Sequence, residues 1–211
     1  MQSSAPTPAV CRIAVLYDGA YLAAVQAYYT QCGHGQLALQ PLHHLLEQAV
    51  QHAEKGYNSY RIIFAGWYAG SNDGDPSLLP PQHELLLAGI TARWVLLDPA
   101  APTDQRGVAV TLASDALELA LSGRVDVVVL VATGAYLAEL ARTLTRQGVR
   151  VLLAHATPRE QLATTLLDRR LRDACSYVVN VAQFEHAAER HWQALFQGLF
   201  RPPHEMQEQA E

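Results

Sequence analysis

The sequence has one lysine, Lys55, against 14 arginines, only three cysteines, and no run of the roughly 18 apolar residues that a membrane-crossing helix needs. Without such a run, no membrane span and no membrane partner are expected. The thiols of Cys11, Cys32 and Cys175 cannot all pair, and their spacing fits neither a zinc site nor a disulfide framework. Reduced thiols in a cytoplasmic protein are therefore expected. The first ten residues lack a charged stretch followed by an apolar one, so no signal peptide is expected. Phosphate-holding loops are missing as well: neither a Walker sequence nor G-x-G-x-x-G follows the first apolar run, which weighs against a nucleotide cofactor. No G-x-S-x-G elbow occurs, which weighs against an α/β-hydrolase. His43-His44 and His186…His191 lack companions at zinc-ligand spacing.

What is present is a globular composition: 211 residues, 50% hydrophobic and 17% charged, enough for one domain with a proper core. The net charge of −5 is unevenly spread. Residues 142–172 hold seven arginines and two acids, whereas the chain on either side is acidic. Arg142, Arg146 and Arg150 recur at every fourth position, and Arg169, Arg170 and Arg172 follow. Either codon bias or phosphate binding explains an arginine-only repertoire; the guanidinium is the better bidentate phosphate ligand.

Short apolar runs alternate with helical patterns. Runs at 12–17, 61–68, 91–98, 125–132 and 149–155, with a shorter one at 176–181, read as strands. Residues 20–29, 41–55, 82–88, 108–121, 136–147 and 159–173 read as helices, and 31–36 and 69–77 as loops. The strands are continuously apolar, which marks a parallel sheet covered on both faces. The expected fold is thus α/β, a three-layer α/β/α sandwich with a mainly parallel sheet. A polar lead at 1–10 precedes a domain at 11–182, and a C-terminal helix and tail follow at 183–211. The stripe Phe184, Ala188, Trp192, Leu195, Phe196 and Leu199 makes 181–200 a single appended helix. Its apolar face packs either on its own domain or on a partner subunit, and a homodimer through this helix is expected.

Ligands of such sheets bind outside the carboxyl ends of the strands. Asp18 sits there, after five apolar residues and before Gly19, as either a metal ligand or the cap of the next helix. Asp115, among small residues of the 108–121 helix, is the second carboxylate of interest.

The order of motifs resembles the NYN domain, a PIN-like group that includes LabA-like bacterial proteins, over residues 11–182. Where the family has D-G-x-N after its first strand, this chain has Asp18-Gly19-Ala20-Tyr21. Where it has K-G-V-D and then L-x-x-D, this chain has Arg106-Gly107-Val108-Ala109 and then Leu112-Ala113-Ser114-Asp115. The family's S-G-D-x-D-F corresponds to Ala132-Thr133-Gly134-Ala135-Tyr136-Leu137, and its G-x-x-V to Gly148-Val149-Arg150-Val151. Its closing L-x-x-A-x-x-[FY] is matched by Leu171-Arg172-Asp173-Ala174-Cys175-Ser176-Tyr177.

The resemblance implies a metal-dependent endoribonuclease site in which about four carboxylates hold Mg²⁺ or Mn²⁺. Only Asp18 and Asp115 are kept, as weak metal ligands and vestigial catalytic residues. Ala109 and Tyr136 stand where acids are expected, and Tyr136 brings bulk to the metal position. Bound Mg or Mn is doubtful on this donor set unless Asp73, Asp75 or Asp104 moves in from the loops. The expected function is RNA association with a catalytically impaired site, using Arg106, Arg142, Arg146 and Arg150 on RNA. An active Mg/Mn-dependent endoribonuclease with relocated ligands and a non-catalytic protein-interaction module are the alternatives.

Overall fold

The computed structural model describes residues 10–71, 82–98, 100, 104–156 and 167–201. Its elements are β1 (Val10–Asp18), α1 (Gly19–Gln31), β2 (Gln36–Leu37), α2 (Leu39–Ala53), β3 (Ser59–Ser71), α3 (Gln82–Leu87), β4 (Thr91–Leu96), α4 (Arg106–Leu121) and β5 (Val127–Val131). A 3₁₀ turn (Ala135–Leu137) then leads into α5 (Ala138–Arg146), β6 (Arg150–His155), α6 (Arg169–Ala174) and β7 (Tyr177–Asn180). The chain ends in a second 3₁₀ stretch (Val181–His186), α7 (Arg190–Gln197) and β8 (Phe200–Arg201).

Six strands form one sheet in the order β4-β3-β1-β5-β6-β7, and every neighbouring pair is parallel. The α/β expectation holds. The chain first builds outward from β1 to β4, then returns to the middle and builds outward again from β5. The reversal leaves a topological switch point between β1 and β5. β5 is Val-Val-Val-Leu-Val and fully buried, because a central parallel strand is covered on both faces.

Alternation along β1 divides the core. Ile13, Val15 and Tyr17 face α1, α2 and the C-terminal segment, while Ala14 and Leu16 face α4 and α5. α4 presents Val108, Leu112, Ala116 and Ala120, one residue per turn, to that second layer. At the amino edge of the sheet, Asp126 accepts from the Arg12 backbone N–H at 2.8 Å, from Nε at 2.9 Å and from Nη2 at 2.8 Å. Burial would raise the Asp126 carboxyl, and the Arg12 hydrogen bonds outweigh it, leaving the group below its ordinary value.

The structure departs from the sequence reading in three places. Residues 69–71 are strand rather than loop, because β4 pairs with β3 from Gly66 to Ser71. Of the helix expected at 159–173, Arg169–Ala174 is helical and 157–166 lies outside the described residues. The appended helix is interrupted: Phe184 lies in the 3₁₀ stretch, Ala187 is extended, and only Arg190–Gln197 is α-helical. The break lets Phe184 stack on Trp192, with ring centroids 4.4 Å apart and planes 10° apart. Trp192, Phe196 and Leu199 are then buried against α1 and α2, and Phe200–Arg201 pairs antiparallel with β2. Of the apolar stripe that motivated a helix-mediated homodimer, Trp192, Phe196 and Leu199 are therefore covered by the chain's own domain, Phe184 and Leu195 are half-buried and Ala188 is exposed. Among the described residues no helix is long and apolar enough to cross a membrane.

Candidate functional site

The carboxyl edge at the switch point is built from β1, β3, β4 and the turn after β5. Asp18 ends β1 on the face of Ala14 and Leu16, and its register partner on β3 is Tyr68. Tyr68 in turn pairs in register with Arg93 on β4. The pleat of three adjacent strands thus sets Arg93, Tyr68 and Asp18 in one row on one face.

Asp18 is nearly buried and both of its oxygens are occupied. Oδ1 accepts the Tyr21 backbone N–H at 3.1 Å, capping α1, and Oδ2 accepts the Tyr136 hydroxyl at 2.7 Å. The capping role, one of the two the sequence left open, is made. Tyr136 reaches across the switch point from the far side of β5, so the ligand crevice of this sheet type is bridged by its phenol. Burial, and next the Asp18 charge, push the Tyr136 hydroxyl well above its ordinary value, so it stays a protonated donor.

Asp115 has a parallel arrangement. Its Oδ2 accepts the Tyr68 hydroxyl at 2.8 Å and Arg93 Nε at 3.1 Å. Burial and the hydrogen bond to Asp115 raise the Tyr68 hydroxyl well above its ordinary value. Each tyrosine folds over a glycine two residues earlier. A Cβ at Gly66 would lie 2.6 Å from Tyr68 Oη, and one at Gly134 would lie 2.1 Å from Tyr136 Cε1. The pairs Gly66…Tyr68, within β3, and Gly134…Tyr136, just after β5, give the same device twice. A small residue lets the ring lie back over the backbone and deliver its hydroxyl to a carboxylate.

Tyr21, which stands where the family motif has Asn, packs on the opposite face of the sheet. It is buried among first-layer residues, and its hydroxyl accepts the Ala156 N–H at 2.7 Å. Its hydroxyl is pushed up to about 12, chiefly by burial. Of the loop acids, Asp104 is bound to Arg106 and accepts its backbone N–H at 3.0 Å, while Asp73 and Asp75 lie outside the described residues.

The arginines expected to act together are separated. Arg106 opens α4 at the carboxyl edge, paired with Asp104. α5 begins beside Tyr136 and runs toward the amino edge at 1.5 Å per residue, so Arg146 lies roughly 12 Å along it. Arg142 is paired with Glu139, and Arg146 donates to Thr143 at 2.8 Å. Arg150 starts β6 at the amino edge, 3.7 Å from Glu54. Besides Arg106, the fold brings Arg93 and the pair Arg169 and Arg170 to the carboxyl edge. α6 packs against the Ala135–Leu137 turn, and the Asp168 N–H donates to Thr133 O at 3.3 Å. Sequence reasoning missed Arg93 and the hydroxyl role of Tyr68. The repeated Gly-x-Tyr was the available signal.

The NYN domain model matches residues 12–182, and the chain belongs to the NYN domain family, a family of metal-dependent nucleases. Among solved structures, a protein of unknown function from Vibrio parahaemolyticus is similar in fold, with a TM-score of 0.56 at 20% identity. The similarity covers 85% of this chain and 96% of that one. No curated protein matches the chain.

Among the described residues the donor set does not fit the divalent ion the family implies. Among the described residues no three His, Cys, Asp or Glu side chains converge on one point. Mg²⁺ demands several oxygens in near-octahedral array. Here a cation at Asp18 Oδ2 would have to displace the Tyr136 hydroxyl, and at Asp115 it would meet the Arg93 guanidinium, which already supplies the compensating positive charge.

Proposed function

We propose that this NYN-domain protein associates with RNA through a site that is catalytically impaired, binding rather than cutting. One observation carries the impairment. Both carboxylates retained from the family pattern are engaged by tyrosine hydroxyls, and one of them also by an arginine. Such a site offers hydrogen-bond donors and acceptors where a nuclease site offers bare oxygens to a metal. RNA as the partner is supported by membership of the family and by the exposed Arg106, Arg169 and Arg170 around the carboxyl edge.

The test measures affinity for single-stranded RNA in EDTA at several salt concentrations, alongside cleavage in Mn²⁺. Binding that persists in EDTA, weakens steeply with salt and is accompanied by no cleavage is the expected outcome. Mn²⁺-dependent cleavage that disappears in Asp18→Ala would instead establish an active endoribonuclease. Absence of RNA binding at low salt would point to a protein-interaction module.

A further inference from the structure

Tyr136 combines two properties that surface tyrosines seldom share: its residue surface is 53% exposed, yet its hydroxyl is anchored. The ring lies over Gly134, so that side rests on backbone. The Asp18 bond fixes its far end. What stays open is aromatic surface held in one orientation over the switch point, where ligands of this sheet type bind. Immobilising such a ring on binding loses little further entropy, because the fold has already fixed it. Next to it, α6 carries Arg169 and Arg170, whose side chains are 84% and 75% exposed. Their contacts, to Asp173 and Asp168 at 3.4 Å, are loose enough to exchange for phosphate.

We propose that Tyr136 is a stacking platform for an unpaired base of single-stranded RNA. Asp18 is its positioning residue, and Arg169 and Arg170 are the adjacent phosphate contacts. This rests on the RNA reading above and deepens it: the acid that would hold a metal in a nuclease here holds a ring. Stacking accepts any base, because every base offers a π-face, so selection is for single strands rather than for a sequence. A duplex, with its bases already stacked, gains nothing from the platform.

The experiment uses the full chain and a short single-stranded RNA containing one 2-aminopurine, in EDTA. Affinity is read by polarisation and stacking by quenching of the 2-aminopurine. Tyr136→Leu should weaken binding about tenfold and remove the quenching, without changing the salt slope, because a ring neutralises no phosphate. Gly134→Ala keeps every functional group, and its backbone at φ −73° and ψ 132° accepts alanine, but the new methyl displaces the ring. It should reproduce the loss. Tyr136→Phe keeps the ring without its tether and should retain quenching with a smaller loss. Replacing Arg169 and Arg170 by Ala together should reduce the salt slope by roughly 1.4, the value for two phosphates on a single strand. A wild type that binds, with equal affinity and quenching in Tyr136→Leu and Gly134→Ala, would overturn the stacking role alone. A wild type that binds no RNA at low salt would overturn the RNA reading and this proposal with it.

Discussion

Asp115, which the sequence offered as a weak metal ligand, accepts from Tyr68 and Arg93 in the structure and joins α4 to β3 and β4. Replacing it should then destabilise the fold. Asp115→Ala leaves the buried Tyr68 hydroxyl without an acceptor and Arg93 without its carboxylate. A loss of about 1–3 kcal/mol in urea unfolding is expected. A stability equal to or above wild type would mean that Asp115 is held at the fold's expense for another purpose.

His43 gives a second prediction at this scale. It stacks on Tyr17, centroids 5.7 Å apart, its Nε2 is buried with no partner, and burial lowers it from 6.5 to about 4. The unfolded chain binds this proton more readily than the folded one. The stability is therefore fully present above pH 6.5 and is lost as pH falls toward 4. His155, lowered to about 4 by burial, acts in the same direction. Melting at pH 5 should fall below that at pH 7.5. His43→Phe, which keeps the stack, should recover on the order of 1–2 kcal/mol of the difference. An unchanged pH dependence in that variant would remove His43 from the explanation.

The elements show what is legible in a sequence of this kind. β1, β5 and β6 could be read directly, because central parallel strands are apolar on both faces and leave an unbroken run. The edge of β3 could not, since its last residues become strand only through pairing with β4. The C-terminal stripe misled for a tertiary reason. Apolar residues from 184 to 199 keep helical spacing, but the stack of Phe184 on Trp192 is made by a chain that breaks at Ala187 and folds back. This segment completes the first core layer. Phe196, 1% exposed, touches the aromatic group of Tyr29, His34 and Phe200. Phe196→Ala should lose about 3–5 kcal/mol. Truncation after Val181 would also strip Arg201 from Glu84, which is 4% exposed, and leave a buried charge alone. Circular dichroism of the truncated chain should show loss of cooperative unfolding. A truncated chain as stable as the full one would make the segment an ornament.

Across the whole molecule the switch point and the charge distribution determine what the site is able to do. Sequence placed Asp18 at the strand end. It did not reveal that Tyr68 and Tyr136, one on β3 and one beyond β5, would meet Asp115 and Asp18. Those partnerships depend on register across strands far apart in the chain. Nor did it separate the arginines: Arg106, Arg142, Arg146 and Arg150 read as one RNA-contacting set, yet α5 carries Arg142 and Arg146 from the carboxyl edge toward the amino edge. The two tyrosine–carboxylate pairs leave a polar, bridged crevice in a member of a family of metal-dependent nucleases. Mn²⁺ binding, followed by the electron paramagnetic resonance of the free ion, addresses this most directly. The full chain should show no site tighter than about millimolar, because among the described residues neither Asp18 nor Asp115 has companions to complete the coordination shell. A stoichiometric site in the micromolar range that vanishes in Asp18→Ala would contradict it.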